Sequence, residues 1–157
     1  LILEAACLAK EGKSRREICQ RIEELKKEVR SSFVVDTLTY LHRGGRCSAV
    51  AALAGGVLKL HPKIVVENGK MDATKNYRGR ICFSIFSYVK DMNDELLKAK
   101  RNRVFITHSG CDESIITEVK TYLQSLGHFD EILVTRAGAV IPSHCGYGTL
   151  GVLFIAE

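Results

Sequence analysis

Residues 144–151 read His-Cys-Gly-Tyr-Gly-Thr-Leu-Gly, so a histidine stands directly before glycines at 146, 148 and 151. A histidine can donate an N–H or change charge near neutral pH. Closely spaced glycines let a backbone turn sharply and bring its amides near an anion. The G-x-G-x-x-G spacing also matches the dinucleotide fingerprint, which needs a strand, the glycine turn and then a helix that holds the pyrophosphate. Only residues 152–157, "VLFIAE", follow Gly151, and their pattern is that of a strand. The dinucleotide reading fails on that geometry. Close approach to an anion and tight packing against a neighbouring element both remain open for the loop.

A second polar cluster is "HRGGRCS" (42–48). Gly44-Gly45 forces a turn that can aim Arg46 away from a helix end, and "AVAALAGGVLKL" follows with no charge before Lys59. A helix that apolar is buried or lines a cavity. The cluster reads either as an apolar cavity with a cation at its mouth or as a helix C-cap with surface arginines. A zinc site from His108-Ser-Gly-Cys111 and His144-Cys145 would lack both C-x-x-C and H-x-x-x-H spacing, so no metal is expected.

These residues need elements to position them. Leu1–Lys10 reads as a helix closed by Gly12, and Ser14-Arg-Arg-Glu17 is a capping box followed by Ile18, Ile22, Leu25 and Val29 at helical spacing. "SFVVD" (32–36) suits a buried strand, Thr37 caps a short helical segment, and Ser48 starts the apolar helix. "KIVVENGKMDAT" predicts a hairpin turning at Asn68-Gly69. A helix is expected from about Ile81 to Lys98, a strand at 104–108, a helix at 112–126 stopped by Gly127, strands at 129–135 and near 139–142, and a last strand in "GVLFIA". Strands alternating with helices, plus a hairpin, imply an α/β domain with a mixed β-sheet and packed helices.

At 157 residues, with 46% apolar and 26% charged residues, the chain suits one globular domain. No apolar run approaches the roughly 18 residues of a membrane span. It opens on Leu1 in mid-helix pattern without a basic-then-apolar leader, and reads as a fragment of a longer protein. The net charge of +5 is scattered over Arg15/Arg16, Lys26/Lys27, Arg78/Arg80 and Lys98–Arg103, as on solvated helix faces. A nucleic-acid reader would show one continuous basic stripe, so no nucleic-acid partner is expected. The six cysteines are never closer than twelve residues and read as reduced thiols of a cytoplasmic protein.

Four stretches together carry a resemblance: "EAACLAKEGKSRREI" (4–18), "FVVDTLTYLHRGGRCSAVAALAGGVLKLHP" (33–62), "NGK" with "NYRGR" (68–80), and "GAVIPSHCGYGTLGVLFIA" (138–156). In order and at compatible spacing, they resemble the C-terminal half of DegV-family proteins, the fatty-acid-binding subunits of bacterial fatty acid kinase. The resemblance implies one lobe (1–157) of a two-lobed clamp, with residues 1–30 contacting the other lobe. It implies a non-catalytic carrier that buries an acyl chain and presents the carboxylate to a separate kinase subunit for acyl-phosphate formation. Long-chain fatty acid is then the ligand, no cofactor is needed, and transient membrane contact fits such a carrier.

By the same resemblance Arg46 and His144 hold the head group, and Arg78 engages the kinase. The tunnel would be lined from Ala49, Leu53, Ala54 and Val57, though close helix packing explains the small residues of this stretch nearly as well. Burying ~15 methylenes at about 0.8 kcal/mol each supplies a gross drive on the order of 12 kcal/mol, reduced by ordering and association costs. The carboxylate contributes little net affinity, but leaving it unpaired would cost several kcal/mol. Two departures stand out, since the family's H-T-G-P-G appears here as H-C-G-Y-G, with Cys145 for threonine and Tyr147 for proline. The alternative is a lobe of a dihydroxyacetone-kinase-like enzyme acting on a small polar substrate.

Overall fold

The capping box forms as its residue types require. Ser14 N–H donates to Glu17 Oε2 at 2.8 Å and Glu17 N–H to Ser14 Oγ at 3.4 Å, which starts α2 (Arg15–Leu25). Helix α1 (Ile2–Lys10) precedes it and buries none of its side chains. The structure, a computed structural model, describes residues 1–45, 60–67 and 69–157. The expected helix from Ser48, the site residues Arg46, Ala49, Leu53, Ala54 and Val57, and Asn68 of the hairpin turn lie outside the described residues.

Strand β1 (Val29–Val34) leads to the short helix α3 (Thr39–Arg43). Strands β2 (Leu60–Glu67) and β3 (Lys70–Arg78) pair antiparallel as the expected hairpin, with a bulge at Lys63/Ile64. Helix α4 (Ile81–Asp91), the single turn α5 (Asn93–Leu96), β4 (Val104–His108), α6 (Glu113–Ser125), β5 (Ile132–Arg136), α7 (Val140–Cys145) and β6 (Leu150–Ile155) complete the order. The six strands form one sheet in the order β3-β2-β1-β6-β4-β5, antiparallel throughout except for the parallel pair β4–β5 that α6 connects. The mixed α/β sheet with packed helices is therefore as expected.

One face of the sheet carries the main core. Val34, Val104, Ile106, Leu150 and Val152 meet Ile85, Tyr88, Val89 and Leu96 from α4 and α5, and Val119 and Leu123 from α6. Ile115, Ile116 and Leu126 also point inward, and Gly127 ends α6 at φ 59°. The register sets Phe33 opposite Gly151 and Leu153 opposite both Ser31 and Phe105, so these residues share the other face. A smaller cluster of Val35, Leu41, Ile64 and Cys145 lies there beneath α3 and α7.

Within the core, the Tyr88 hydroxyl bridges two central strands. It donates to Ser32 O at 2.8 Å and accepts from Val152 N–H at 3.1 Å, so a side chain from α4 joins β1 to β6. Ser32 Oγ lies 2.9 Å from the same oxygen.

Four local expectations change. Residues 140–145 form helix α7, not a strand. Both neighbours of β6 are already taken by β1 and β4, and Pro142 falls in the first helical turn, where its missing N–H costs nothing. The helix expected to run to Lys98 breaks at Met92 (φ −87°, ψ 2°), whose side chain is buried. Val29 belongs to β1, where it pairs with Ile155. Leu38, not Thr37, is the N-cap of α3, although Thr37 Oγ1 accepts the Thr39 N–H at 3.2 Å.

Candidate ligand site at one end of the sheet

The strand register gathers the polar residues at a single end of the sheet. Arg78 closes β3 opposite Leu60, the start of β2, and β1 leaves that end through Asp36. Leu150 begins β6 there, opposite both Val34 and His108, and Arg136 closes β5 beside His108. His144 and Arg78, far apart in sequence, thus belong to the same sheet end.

Around His144 the site is assembled by α3, α7 and two loops. The His144 ring is seated against Gly44, where an added Cβ would lie 2.2 Å from Nδ1 and 2.9 Å from Cε1. That Nδ1 is buried and has no hydrogen-bond partner among the described residues. Tyr40, one helical turn before Gly44, lays its ring against Gly146, which has φ 83°. The H-R-G-G segment and the H-C-G-Y-G loop therefore dock on each other through backbone that lacks side chains.

This settles what the three glycines do. Gly146 and Gly148 turn the chain at positive φ, a conformation that disfavours any Cβ. Gly151 sits in β6, where a Cβ would lie 2.8 Å from Ser32 O and 3.0 Å from Phe33 Cβ. Their spacing follows from a turn and a close strand contact.

A second loop, 108–111, braces the first. Ser109 Oγ donates to Gly146 O at 2.5 Å and accepts the Thr149 N–H at 3.1 Å, while Thr149 Oγ1 donates to Cys145 O at 2.9 Å. Tyr147, 71% exposed, lays its ring over Gly110, where a Cβ would meet it at 2.2 Å. His108 Nδ1 accepts the amides of Gly110 (3.3 Å) and Cys111 (3.2 Å), so its other nitrogen carries the proton. Spacing alone offered no sign of this brace, and Ser109 gave no local signal at all.

His108 and Cys111, weighed above as half of a zinc site, are engaged in this turn. Cys111 Sγ donates to Gly148 O at 3.2 Å, and burial pushes its thiol up to about 12. Burial also raises the Cys145 thiol. Both shifts disfavour the thiolate that a nucleophilic cysteine needs.

A separate groove of about 210 Å3 lies across β1 and β2 near Met92. Arg30, Lys63, Glu67 and Glu95 line it. It is smaller than the roughly 300–1,000 Å3 of usual ligand pockets, and two cations with two carboxylates make a poor wall for an apolar chain.

Gly44→Ala isolates the seating of the imidazole, because Gly44 already has helical φ −78° and alanine adds no backbone strain. We expect destabilisation of about 1–3 kcal/mol, as for overpacked sites, with a displaced His144 imidazole resonance. Chemical denaturation and NMR measure both, and an unmoved resonance would refute the seating.

With this geometry in place, comparison with known proteins is decisive. The family model for uncharacterised proteins of the DegV family matches residues 1–157. This chain belongs to the DegV family. A DegV domain-containing protein of Clostridium perfringens is 33% identical over 158 residues, which cover 100% of this chain and 54% of that relative. The chain spans about half the length of the curated DegV relatives it matches. Among solved structures, a DegV family protein from Thermus thermophilus described by its fatty acid binding superposes with a TM-score of 0.80 at 30% identity, covering 99% of this chain and 55% of its own. The Streptococcus pneumoniae fatty acid kinase B3 protein loaded with linoleic acid superposes at 0.82 with 16% identity, covering 99% and 54%, and at that identity it speaks for the DegV fold alone.

Proposed function

We propose that this DegV lobe is part of a fatty-acid carrier that presents a bound carboxylate to a separate kinase subunit. The observation that carries the reading is the docking of Gly44 on His144. It joins the segment that runs on to Arg46 with the histidine of the glycine loop, two motifs a hundred residues apart in the sequence. With Nδ1 buried against Gly44 and without a partner among the described residues, we assign the proton of the ring to Nε2, the nitrogen left to donate to a carboxylate. Arg46 supplies the neutralising charge, which makes a charge-assisted pair.

The acyl chain would lie over the sheet face of Phe33, Leu153 and Phe105, each only half-buried, and beside Ala49, Leu53, Ala54 and Val57. Relatives described as fatty-acid-binding, among them a Thermotoga maritima protein 26% identical over 142 residues, support the ligand class. Arg78 is exposed at the strand end and is the residue we assign to the kinase contact. No chemistry is assigned to the lobe itself. Residues 1–30 contact the other lobe in this reading, consistent with an α1 that exposes Ile2 and Leu3.

Mass spectrometry of extracts from the full-length protein, purified without added lipid, is the direct test. Stoichiometric long-chain fatty acid is the expected result, and lipid-free protein that also rejects added fatty acid would overturn the reading. Arg78→Ala should keep that lipid while reducing acyl-phosphate formation at least tenfold, the loss of roughly one charge-assisted contact. Unchanged turnover would remove Arg78 from the partner surface.

A further inference from the structure

The geometry points to His61 as a positioning residue for the Arg78–Arg80 segment, an inference that rests on the reading of Arg78 as the kinase contact. His61 lies second in β2 and is only 4% exposed. A buried imidazole is costly unless its polar atoms are used. Its Nε2 stands 2.8 Å from Gly79 O, and because a carbonyl only accepts, Nε2 carries the proton. Nδ1 faces Asp36 Oδ1 at 3.3 Å but outside hydrogen-bonding geometry. One ring thus connects β2, the chain leaving β1, and the turn between β3 and α4.

That turn needs holding. Gly79 has φ 106°, in the region where glycine alone moves freely, so the peptide there has many alternatives. Arg78 and Arg80 flank it, and a rotation of the Gly79 peptide redirects both side chains. Arg80 extends over the exposed ring of Phe83, 5.7 Å from its centroid. Among the described residues no carboxylate lies within 4 Å of either guanidinium. Arg80 is aimed by its backbone and the Phe83 ring and Arg78 by its backbone, and the His61 bond fixes that backbone.

A double-mutant cycle on the full-length, fatty-acid-loaded protein with its kinase tests this. His61→Leu should retain the lipid and lower kcat/KM for the loaded carrier about tenfold, as expected for a lost buried hydrogen bond. In the Arg78→Ala background the same substitution should add less than about twofold, since the bond acts through Arg78. His61→Gln, which keeps a donor at similar reach, should restore turnover to within about threefold of the parent. A purely structural role would lower the melting temperature in both backgrounds and multiply the two turnover losses, which would overturn the inference. So would unchanged turnover in His61→Leu when Arg78→Ala is impaired. If Arg78→Ala alone is fully active, the kinase-contact reading falls and takes this inference with it. Should His61→Leu fail to retain lipid, His61→Asn, whose donor falls short of Gly79 O, takes its place in the cycle.

Discussion

His144→Ala in the full-length protein should weaken long-chain fatty acid binding by roughly 10- to 100-fold, the worth of one hydrogen bond to a charged group. The physical reason lies in the asymmetry between its nitrogens. Nδ1 is closed off against Gly44, so the ring has one nitrogen to offer a ligand. Removing it leaves the bound carboxylate short of a donor in a half-buried site, where an unpaired charge is expensive. The loss should be confined to the acid. A fatty alcohol of the same length should bind wild type and variant within about threefold, because the apolar part of the site is untouched. Competition titration with both ligands measures the difference, and an equal loss for acid and alcohol would reassign His144 to packing.

Tyr88→Phe should lower stability by about 1–2 kcal/mol. The substitution keeps the ring, so the packing of Ile85, Val89 and Leu123 around it is preserved. What disappears is the oxygen between two strands. Val152 N–H and Ser32 O, opposite each other in the β1–β6 ladder, keep one another as partners. The loss is that of the hydroxyl's own buried bonds to them, about 0.5–1.5 kcal/mol for a hydrogen bond. Ser32 Oγ, which also loses the Tyr88 oxygen, keeps Met92 Sδ 3.6 Å away as an alternative acceptor. A domain of this size loses about 2–4 °C of melting temperature per kcal/mol, so a drop of roughly 2–8 °C is expected. Urea unfolding with an unchanged slope should give the same free energy. A change under about 0.5 kcal/mol would mean that the bridge carries no net stability.

Much of this architecture was legible from residue spacing, because the signals were local and redundant. The capping box at Ser14, the inward face of Ile116, Val119 and Leu123, and the strand at 104–108 each depend on neighbours within a few residues. The errors came where tertiary context decides. Val140-Ile141 has strand character, but β6 had no free edge to pair with. The break at Met92 carries neither glycine nor proline, since burial of Met92 and Leu96 dictates it.

The candidate site divides the same way. His144 and Arg78 could be singled out by resemblance to family motifs. The Ser109 brace, the Gly44 seat and the His61 bond depend on contacts between segments far apart in sequence, which composition and periodicity do not encode. Tyr147, a departure from the family motif, turns out to pack on Gly110, so the loop replaces the stiffness of proline with a ring contact.

The sheet order also has a kinetic consequence. Its middle seam pairs Val29 with Ile155 and Val34 with Leu150, whereas the β2–β3 hairpin and the β4–α6–β5 unit close over short stretches of chain. Local units of this kind form first, and contacts between distant segments pay the full loop-closure entropy. The two halves of the sheet can therefore exist as early, incomplete pieces with exposed strand edges, which join only when β6 slots between β1 and β4. Tyr88 bridges that same seam, so its hydroxyl belongs to the last cooperative step of folding.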